Sequence, residues 1–288
     1  MRHRSELSQF IKYHSLGNDL ILVDWRHQSL DEVCEHIAVP AWGDDVARMC
    51  QRHFGIGADG LLVLSKSSHD SIPEVFVFNA DGSRAETCFN GLRCVADYLF
   101  RCRGSSDRVD IIMGGRCCVC QKSGDDIVTA VGKAICSGSR TIHVAQKALE
   151  GHVVSVGNPH FVIFGKTTPR WLSLHGKAIE RHELFPRRTN VEFVWKPIES
   201  MSCYRVLVHE RGCGMTLACS SGVAAITGVL GAQGRISALQ QTTYSLPGGQ
   251  LVSWIDAEGQ IFLRGKAHCV CTGDATDFWA SSEDGQRP

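Results

Sequence analysis

Apolar and polar residues alternate in short runs along most of the chain, and three runs carry a helical period instead. The opening LSQFIKYHSLGNDLILVD predicts two strands, FIKYH and LILVD, around a polar turn at Gly17-Asn18-Asp19. DDVARMCQRHF predicts a helix with Asp44 or Asp45 near its start, followed by the strands LLVLS and PEVFVFN. After the loop NADGSRAET, CFNGLRCVADYLFRC sets Leu92, Val95 and Leu99 at helical spacing. VDIIM, CCVCQ and DIVTAV return to strand, with turns at Gly114-Gly115 and Gly124-Asp125. Residues 132–150 carry little pattern and hold the best candidate boundary. The second half predicts strands at HVVSV, HFVIF, NVEFVWK and YRVLVHE, a helix at SSGVAAITGVL, a hairpin LVSWID–AEG–QIFLRG and a polar tail.

Each half is therefore β-rich around one prominent helix, and the two helical segments match. Cys88-Phe89-Asn90-Gly91-Leu92 aligns with Cys219-Ser220-Ser221-Gly222-Val223, in the common form C-x-[NS]-G-[LV]. Two related domains are one reading; a single α+β domain with two ordinary helices is the other.

Composition narrows the class. With 288 residues, 43% hydrophobic and 21% charged, the chain is of globular type and long enough for two domains. Thirty basic residues balance thirty acidic ones, which gives no support to a nucleic-acid footprint. The N-terminus lacks the apolar core and cleavage site of a secretory signal. No stretch of about 18 apolar residues offers a membrane span. The expected location is the cytoplasm, with neither membrane nor nucleic acid as partner. Fourteen cysteines then read mostly as small buried groups rather than a disulfide framework. Cys117 and Cys120 form a C-x-x-C without a second pair of matching spacing, so no metal site is expected.

Both matched cysteines stand just before a helix. A helix start offers unpaired N–H groups and positive potential, which favour a thiolate and hold a carboxylate. Two such thiols suggest a two-base exchange, in which one takes an α-proton and the other returns one to the opposite face. Either cysteine alone reads equally well as a buried small residue. Gly55-Ile56-Gly57-Ala58-Asp59-Gly60 fits G-x-G-x-x-G, but it follows a helix and leads into a strand, the reverse of a dinucleotide site. It reads as a loop.

KYHSLGNDLILVD, HFGIGADGLLVL, FNADGSRAETCFNGLRC, VSVGNPHFVIF, NVEFV, HERGCGMTLACSSG and LPGGQL together resemble the diaminopimelate epimerase family, in the family's order and over nearly the whole chain. The resemblance implies an α/β (α+β) fold of two pseudo-symmetric domains, each a β-rich sheet wrapped around a central helix, closing over a small amino-acid substrate. We expect domains at 1–132, carrying Cys88, and 133–270, carrying Cys219, with 271–288 returning to the first. The resemblance also implies a homodimer that uses no cofactor. Its catalytic thiols match Cys88 and Cys219, and His160 and Glu210 match the polar residues that assist them. Asn18, Asn79, Asn158, Asn190 and Arg211 match substrate-binding residues, several of which hold the distal head of diaminopimelate. Asn90-Gly91 and Ser220-Ser221-Gly222 match the turns whose amides bind the reacting carboxylate.

The residues themselves leave plainer readings open: Asn158 as a turn former, Asn79 as an Asx-turn residue, His160 as a core histidine. Three departures stand against the family pattern: Phe89 where glycine is usual, Met215 where glutamate is usual, and the turn Ser220-Ser221-Gly222-Val223. They keep open a racemase of another amino acid such as histidine, an isomerase of an unsaturated acid, and a silent amino-acid-binding module.

Overall fold

The computed structural model describes residues 9–68, 72–104, 106–197 and 203–276. In chain order the elements are β1 (Gln9–Ser15), β2 (Asn18–Asp24), α1 (Leu30–Ala38), α2 (Ala41–Cys50), β3 (Gly60–Ser65), β4 (Glu74–Asn79), β5 (Arg84–Ala85), α3 (Phe89–Arg103), β6 (Arg108–Met113) and β7 (Arg116–Ser123). They continue as β8 (Asp126–Gly132), β9 (Ile135–Val144), β10 (Lys147–Ser155), β11 (Pro159–Phe164), α4 (Pro169–Glu180), β12 (Asn190–Trp195), β13 (Cys203–Glu210) and β14 (Gly214–Thr216). The last are α5 (Ser220–Ala232), β15 (Thr242–Leu246), β16 (Gly249–Ile255), β17 (Ile261–Gly265) and β18 (His268–Asp274). Among the described residues no helix is long and apolar enough to cross a membrane.

Two compact units emerge. The first holds the chain through Ser15, Asp19–Gln121 and the residues from Ala267; the second holds Leu16–Asn18 and Lys122–Lys266. In the first, β18 pairs with β1, β1 with β2, β2 with β3 in parallel, β3 with β4 antiparallel, β4 with β6 in parallel and β6 with β7 antiparallel. In the second, β9 pairs with β10, β10 with β11 antiparallel, β11 with β12 in parallel, β12 with β13 antiparallel, β13 with β15 in parallel and β15 with β16 antiparallel. The same order of strand relations runs through both, with short β5 and β14 hanging on β4 and β13 at equivalent places. One topology is thus written twice, with α3 and α5 in the same position of each copy.

Strand alternation explains how each sheet is covered on two faces. In the first unit Leu61 and Val63 join a cluster with Val33, Trp42, Val46 and Met49 from α1 and α2. Leu62, between them, faces α3, where a side chain at Gly91 would touch it. In the second unit Phe161, Ile163, Val191 and Phe193 pack with Leu172 and Ile179 of α4. That leaves His160 and Glu192 on the other face, toward α5. Helix α5 is buried from Gly222 to Leu230 without interruption, as expected of a helix apolar on all sides.

Several elements differ from the sequence expectation. The first turn falls on Leu16 and Gly17, both at positive φ (54° and 82°), so Asn18 opens β2 instead of lying in the turn. Helices α1 and α4 and strand β18 were not anticipated, and residues 132–150 form most of the β9–β10 hairpin rather than a bare linker. Helix α2 starts at Ala41 and stops at Cys50, so QRHF is loop. From residue 277 onward the expected C-terminal segment lies outside the described residues, as do residues 1–8.

Candidate active site

The first unit builds a cradle at the start of α3. Cys88 is the N-cap, with extended backbone (φ −145°, ψ 95°), and its sulfur accepts the N–H of Gly91 at 3.2 Å. The approach at 91 is close: a Cβ there would lie 2.8 Å from Leu62 and 3.3 Å from the Cys88 sulfur. Asn90 is buried; its Oδ1 accepts from Arg93 at 2.6 Å, and the fully buried Arg93 also donates to Ser15 Oγ. Phe89 is only 3% exposed, so its bulk enters the interior of the unit.

The second unit repeats the cradle. Cys219 caps α5 with extended backbone (φ −124°, ψ 104°), and its sulfur accepts the N–H of Gly222 at 3.3 Å. Ser221 Oγ stands 3.4 Å from the same sulfur. Asn158 donates from Nδ2 to Ser221 Oγ at 3.3 Å, and its Oδ1 lies 3.0 Å from His160 Nε2. His160 Nδ1 is 2.7 Å from Glu192 Oε1, with both side chains fully buried. Glu210 accepts from Thr216 Oγ1.

Electrostatics here run against the expectation from the helix start. Burial first, then the charges of Glu210 and Glu192, push the Cys219 thiol well above its ordinary value, and the Ser221 and Gly222 hydrogen bonds do not offset them. A helix end is worth about 0.3–1 kcal/mol to a nearby charge, whereas desolvating an ion costs several kcal/mol. Cys219 therefore rests as a thiol. Burial also raises Glu210, against the hydrogen bonds from Thr216 and Cys219.

Asn190 turns both ends of its amide to backbone: Nδ2 donates to Pro159 O at 2.9 Å, and Oδ1 accepts from Arg211 N at 2.9 Å. It ties the Asn158-Pro159 turn to the Arg211 loop. The neighbouring Gly212 N–H donates to buried Glu180, which also meets His209 Nε2 at 3.1 Å. Asn79 closes the turn after β4 by donating to Ser83 Oγ at 2.9 Å. Asn18 follows the Leu16–Gly17 turn, where a side chain on Gly17 would strike Leu217, two residues before Cys219. Met215 packs against the α4 cluster.

Of the residues singled out from sequence, Cys219, Ser221, Asn158 and His160 thus form one hydrogen-bonded group, with Glu210 beside it. Asn190 and Arg211 form a second, and Cys88, Asn90 and Gly91 form the cradle of the other unit. Glu192, Thr216, Arg93 and Glu180 were missed. Glu192 left a signal, an acid in the apolar run NVEFV, but its partner is 32 residues away in sequence.

Cys117 and Cys120, three apart on β7, point to opposite faces of the strand. Among the described residues no group of three His, Cys, Asp or Glu side chains is placed to hold a metal ion. Gly55–Asp59 lies in the loop between α2 and β3, with Gly57 at φ 77°, and Gly60 opens β3.

The model of the family described as diaminopimelate epimerase matches residues 10–136 and 152–270. The diaminopimelate epimerase of Gloeothece citriformis is 34% identical over 289 residues, covering 92% of this chain and 98% of that protein. The chloroplastic enzyme of Oryza sativa subsp. japonica is 32% identical, covering 95% and 82%. Among solved structures, a hydroxyproline epimerase from Agrobacterium vitis with bound trans-4-hydroxy-L-proline superposes with TM-score 0.72 at 13% identity, over 93% and 92% of the two chains. A methylitaconate-delta-isomerase does so with TM-score 0.60 at 12% identity, over 93% and 94%. These two likenesses are of fold, while the family model and the closer sequences carry the assignment: the chain belongs to the diaminopimelate epimerase family.

Proposed function

We propose that the protein interconverts LL-2,6-diaminopimelate and meso-2,6-diaminopimelate by moving a proton at one α-carbon between two thiols. The observation that carries this reading is the repeated cradle: a cysteine caps the central helix in each unit and accepts the N–H three residues on, at 3.2 and 3.3 Å. In one direction the Cys88 thiolate takes the α-proton and the Cys219 S–H delivers another to the opposite face. The carbon inverts, and the chain is left with a Cys88 thiol and a Cys219 thiolate. The raised Cys219 thiol suits the donor role in the resting protein. The first-turn amides of α3 and α5 suit the reacting carboxylate, including those at Asn90, Gly91, Ser220 and Ser221.

Arg211, with Asn18, Asn79, Asn158 and Asn190, is assigned to the distal ammonium–carboxylate head, and His160 and Glu210 to support of Cys219. The relatives' names and Arg211 favour diaminopimelate over a one-headed amino acid. Phe89 and Met215 point into apolar packing, so neither departure argues for another substrate. We further propose a homodimer in the cytoplasm, a reducing compartment that would keep the two reacting cysteines as thiols.

The test is a substrate panel followed by chiral separation, with both diaminopimelate stereoisomers and each common amino acid. Interconversion of the LL and meso forms alone is expected. Racemisation of histidine, or of another one-headed amino acid, in preference to diaminopimelate would overturn the assignment.

A further inference from the structure

We infer that Glu192 is a positioning residue that fixes the donor order of a hydrogen-bond relay ending at the Cys219 sulfur. The inference rests on the reading of Cys219 as a reacting thiol. Glu192 sits in β12 between Val191 and Phe193 and is fully buried. A carboxylate in such surroundings is costly unless its oxygens are matched. One is matched, by His160 Nδ1 at 2.7 Å; Oε2 has no hydrogen-bond partner among the described residues. A half-matched buried acid is poor use of a core position if stability were its whole role. The fold also makes room for it. A Cβ on Gly222 would lie 2.8 Å from Glu192 Oε1, so the carboxylate reaches the first turn of α5 because residue 222 has no side chain.

Donor and acceptor roles follow link by link. His160 Nδ1 faces the Glu192 carboxylate, and Nε2 faces Asn158 Oδ1 at 3.0 Å. Both ring nitrogens meet acceptors, so both carry protons, and Glu192, fully buried with His160, supplies the compensating charge. Asn158 accepts from His160 at Oδ1 and so directs its Nδ2 to Ser221 Oγ, at 3.3 Å. Ser221 accepts there and keeps its own proton for the Cys219 sulfur, 3.4 Å away. The relay therefore delivers an O–H donor to the thiolate when Cys219 has given up its proton.

With the charge of Glu192 removed, His160 keeps one proton, on Nδ1, and Nε2 becomes an acceptor. Asn158 then turns over, Ser221 donates to Asn158 Oδ1, and the sulfur loses its donor. Glu210 is hydrogen-bonded with Thr216 and Cys219 and, among the described residues, not with His160, Asn158 or Ser221, so it takes no part in this ordering.

Nitrogen-15 NMR of the His160 ring at neutral pH, assigned by comparison with His160→Gln, reads the first link directly. Two protonated ring nitrogens are expected in the wild-type protein, and one unprotonated nitrogen overturns the inference. In Glu192→Gln, which keeps the volume, one ring nitrogen of His160 should lose its proton. There kcat should fall roughly 100-fold or more, the scale of losing one oriented donor at a developing charge, with KM within about threefold of wild type because the substrate's own contacts are intact. A Glu192→Gln protein with wild-type kcat, or with a doubly protonated His160, overturns the inference as well. Should that variant not fold, the wild-type spectrum still decides. The ring-nitrogen measurement uses no substrate, so its failure is separate from a failure of the proposed reaction.

Discussion

Replacing Gly222 with alanine, and separately Gly91, sets two equivalent helix starts against each other. At 222 the new Cβ would lie 2.8 Å from Glu192 Oε1, 3.0 Å from its Cγ and 3.3 Å from its Cδ. Comfortable non-bonded contacts are at about 3.5–4.0 Å, so the carboxylate must retreat by roughly half an ångström or more. It stands 2.7 Å from His160 Nδ1, with no solvent to take over that bond. Losing a charged hydrogen bond costs about 1.5–3 kcal/mol and overpacking a further 1–3 or so, while alanine returns about 1 kcal/mol of helix propensity. Gly222→Ala should therefore lose about 1.5–5 kcal/mol. At 91 the nearest atom, 2.8 Å away, is the end of the Leu62 side chain, which can rotate aside. Gly91→Ala should stay within about 1 kcal/mol of wild type, since propensity and crowding nearly cancel. Thermal unfolding reads the contrast, at roughly 2–4 °C per kcal/mol for a chain of this size class. The reasoning fails if Gly222→Ala melts with the wild type, or if Gly91→Ala falls as far as Gly222→Ala.

Other substitutions probe separate parts of the site. Glu210 has its carboxyl raised by burial, so the folded state binds more protons than the unfolded one above the ordinary carboxylate range, and stability falls as pH rises through that window. Glu210→Gln should flatten that fall in denaturant melts between pH 5 and 8, and an unchanged slope would contradict the burial. Asn190→Asp keeps an acceptor for the Arg211 N–H but sets an oxygen against Pro159 O. A loss of about 1–3 kcal/mol and a raised KM are expected; a wild-type KM would mean that the two loops do not depend on Asn190. Arg211→Ala should lower kcat/KM for diaminopimelate by roughly 30- to 5000-fold, the worth of about 2–5 kcal/mol for a charged clamp, and unchanged kinetics would remove that role.

The two central helices were legible in sequence because each announces itself locally, by an N-cap cysteine, a glycine three residues on and an apolar run. Helix α1 had two local signatures, the capping box of Ser29 and Glu32 and a short stripe of Leu30, Val33 and Ile37 at helical spacing, though only Val33 is fully buried. Helix α4 likewise had Thr168 and Pro169 at its start. Strand β9 is exposed over its first seven residues, so it lacks alternation and is held by pairing with β10. The turn at Leu16 was misplaced by one residue because leucine is a poor guide to a positive φ. The chemistry was harder to read than the fold. That Cys219 rests as a thiol depends first on its burial and then on Glu210 and Glu192, which reach it from β13 and β12. Local sequence shows the helix start; it does not show the acids folded against it.

Inversion and exchange, measured together on each cysteine variant, test the two-thiol reaction most directly. Folded Cys88→Ala and Cys219→Ala proteins would be given each diaminopimelate stereoisomer in deuterated water, with inversion followed by chiral separation and α-deuterium by mass spectrometry. In the wild type, newly formed product should carry deuterium at the inverted carbon while recovered substrate carries much less. Each variant should lose inversion, because one face then lacks its proton carrier, while the remaining thiol still permits exchange on its own face. Inversion at the wild-type rate by either variant would contradict the account and return that cysteine to a packing role.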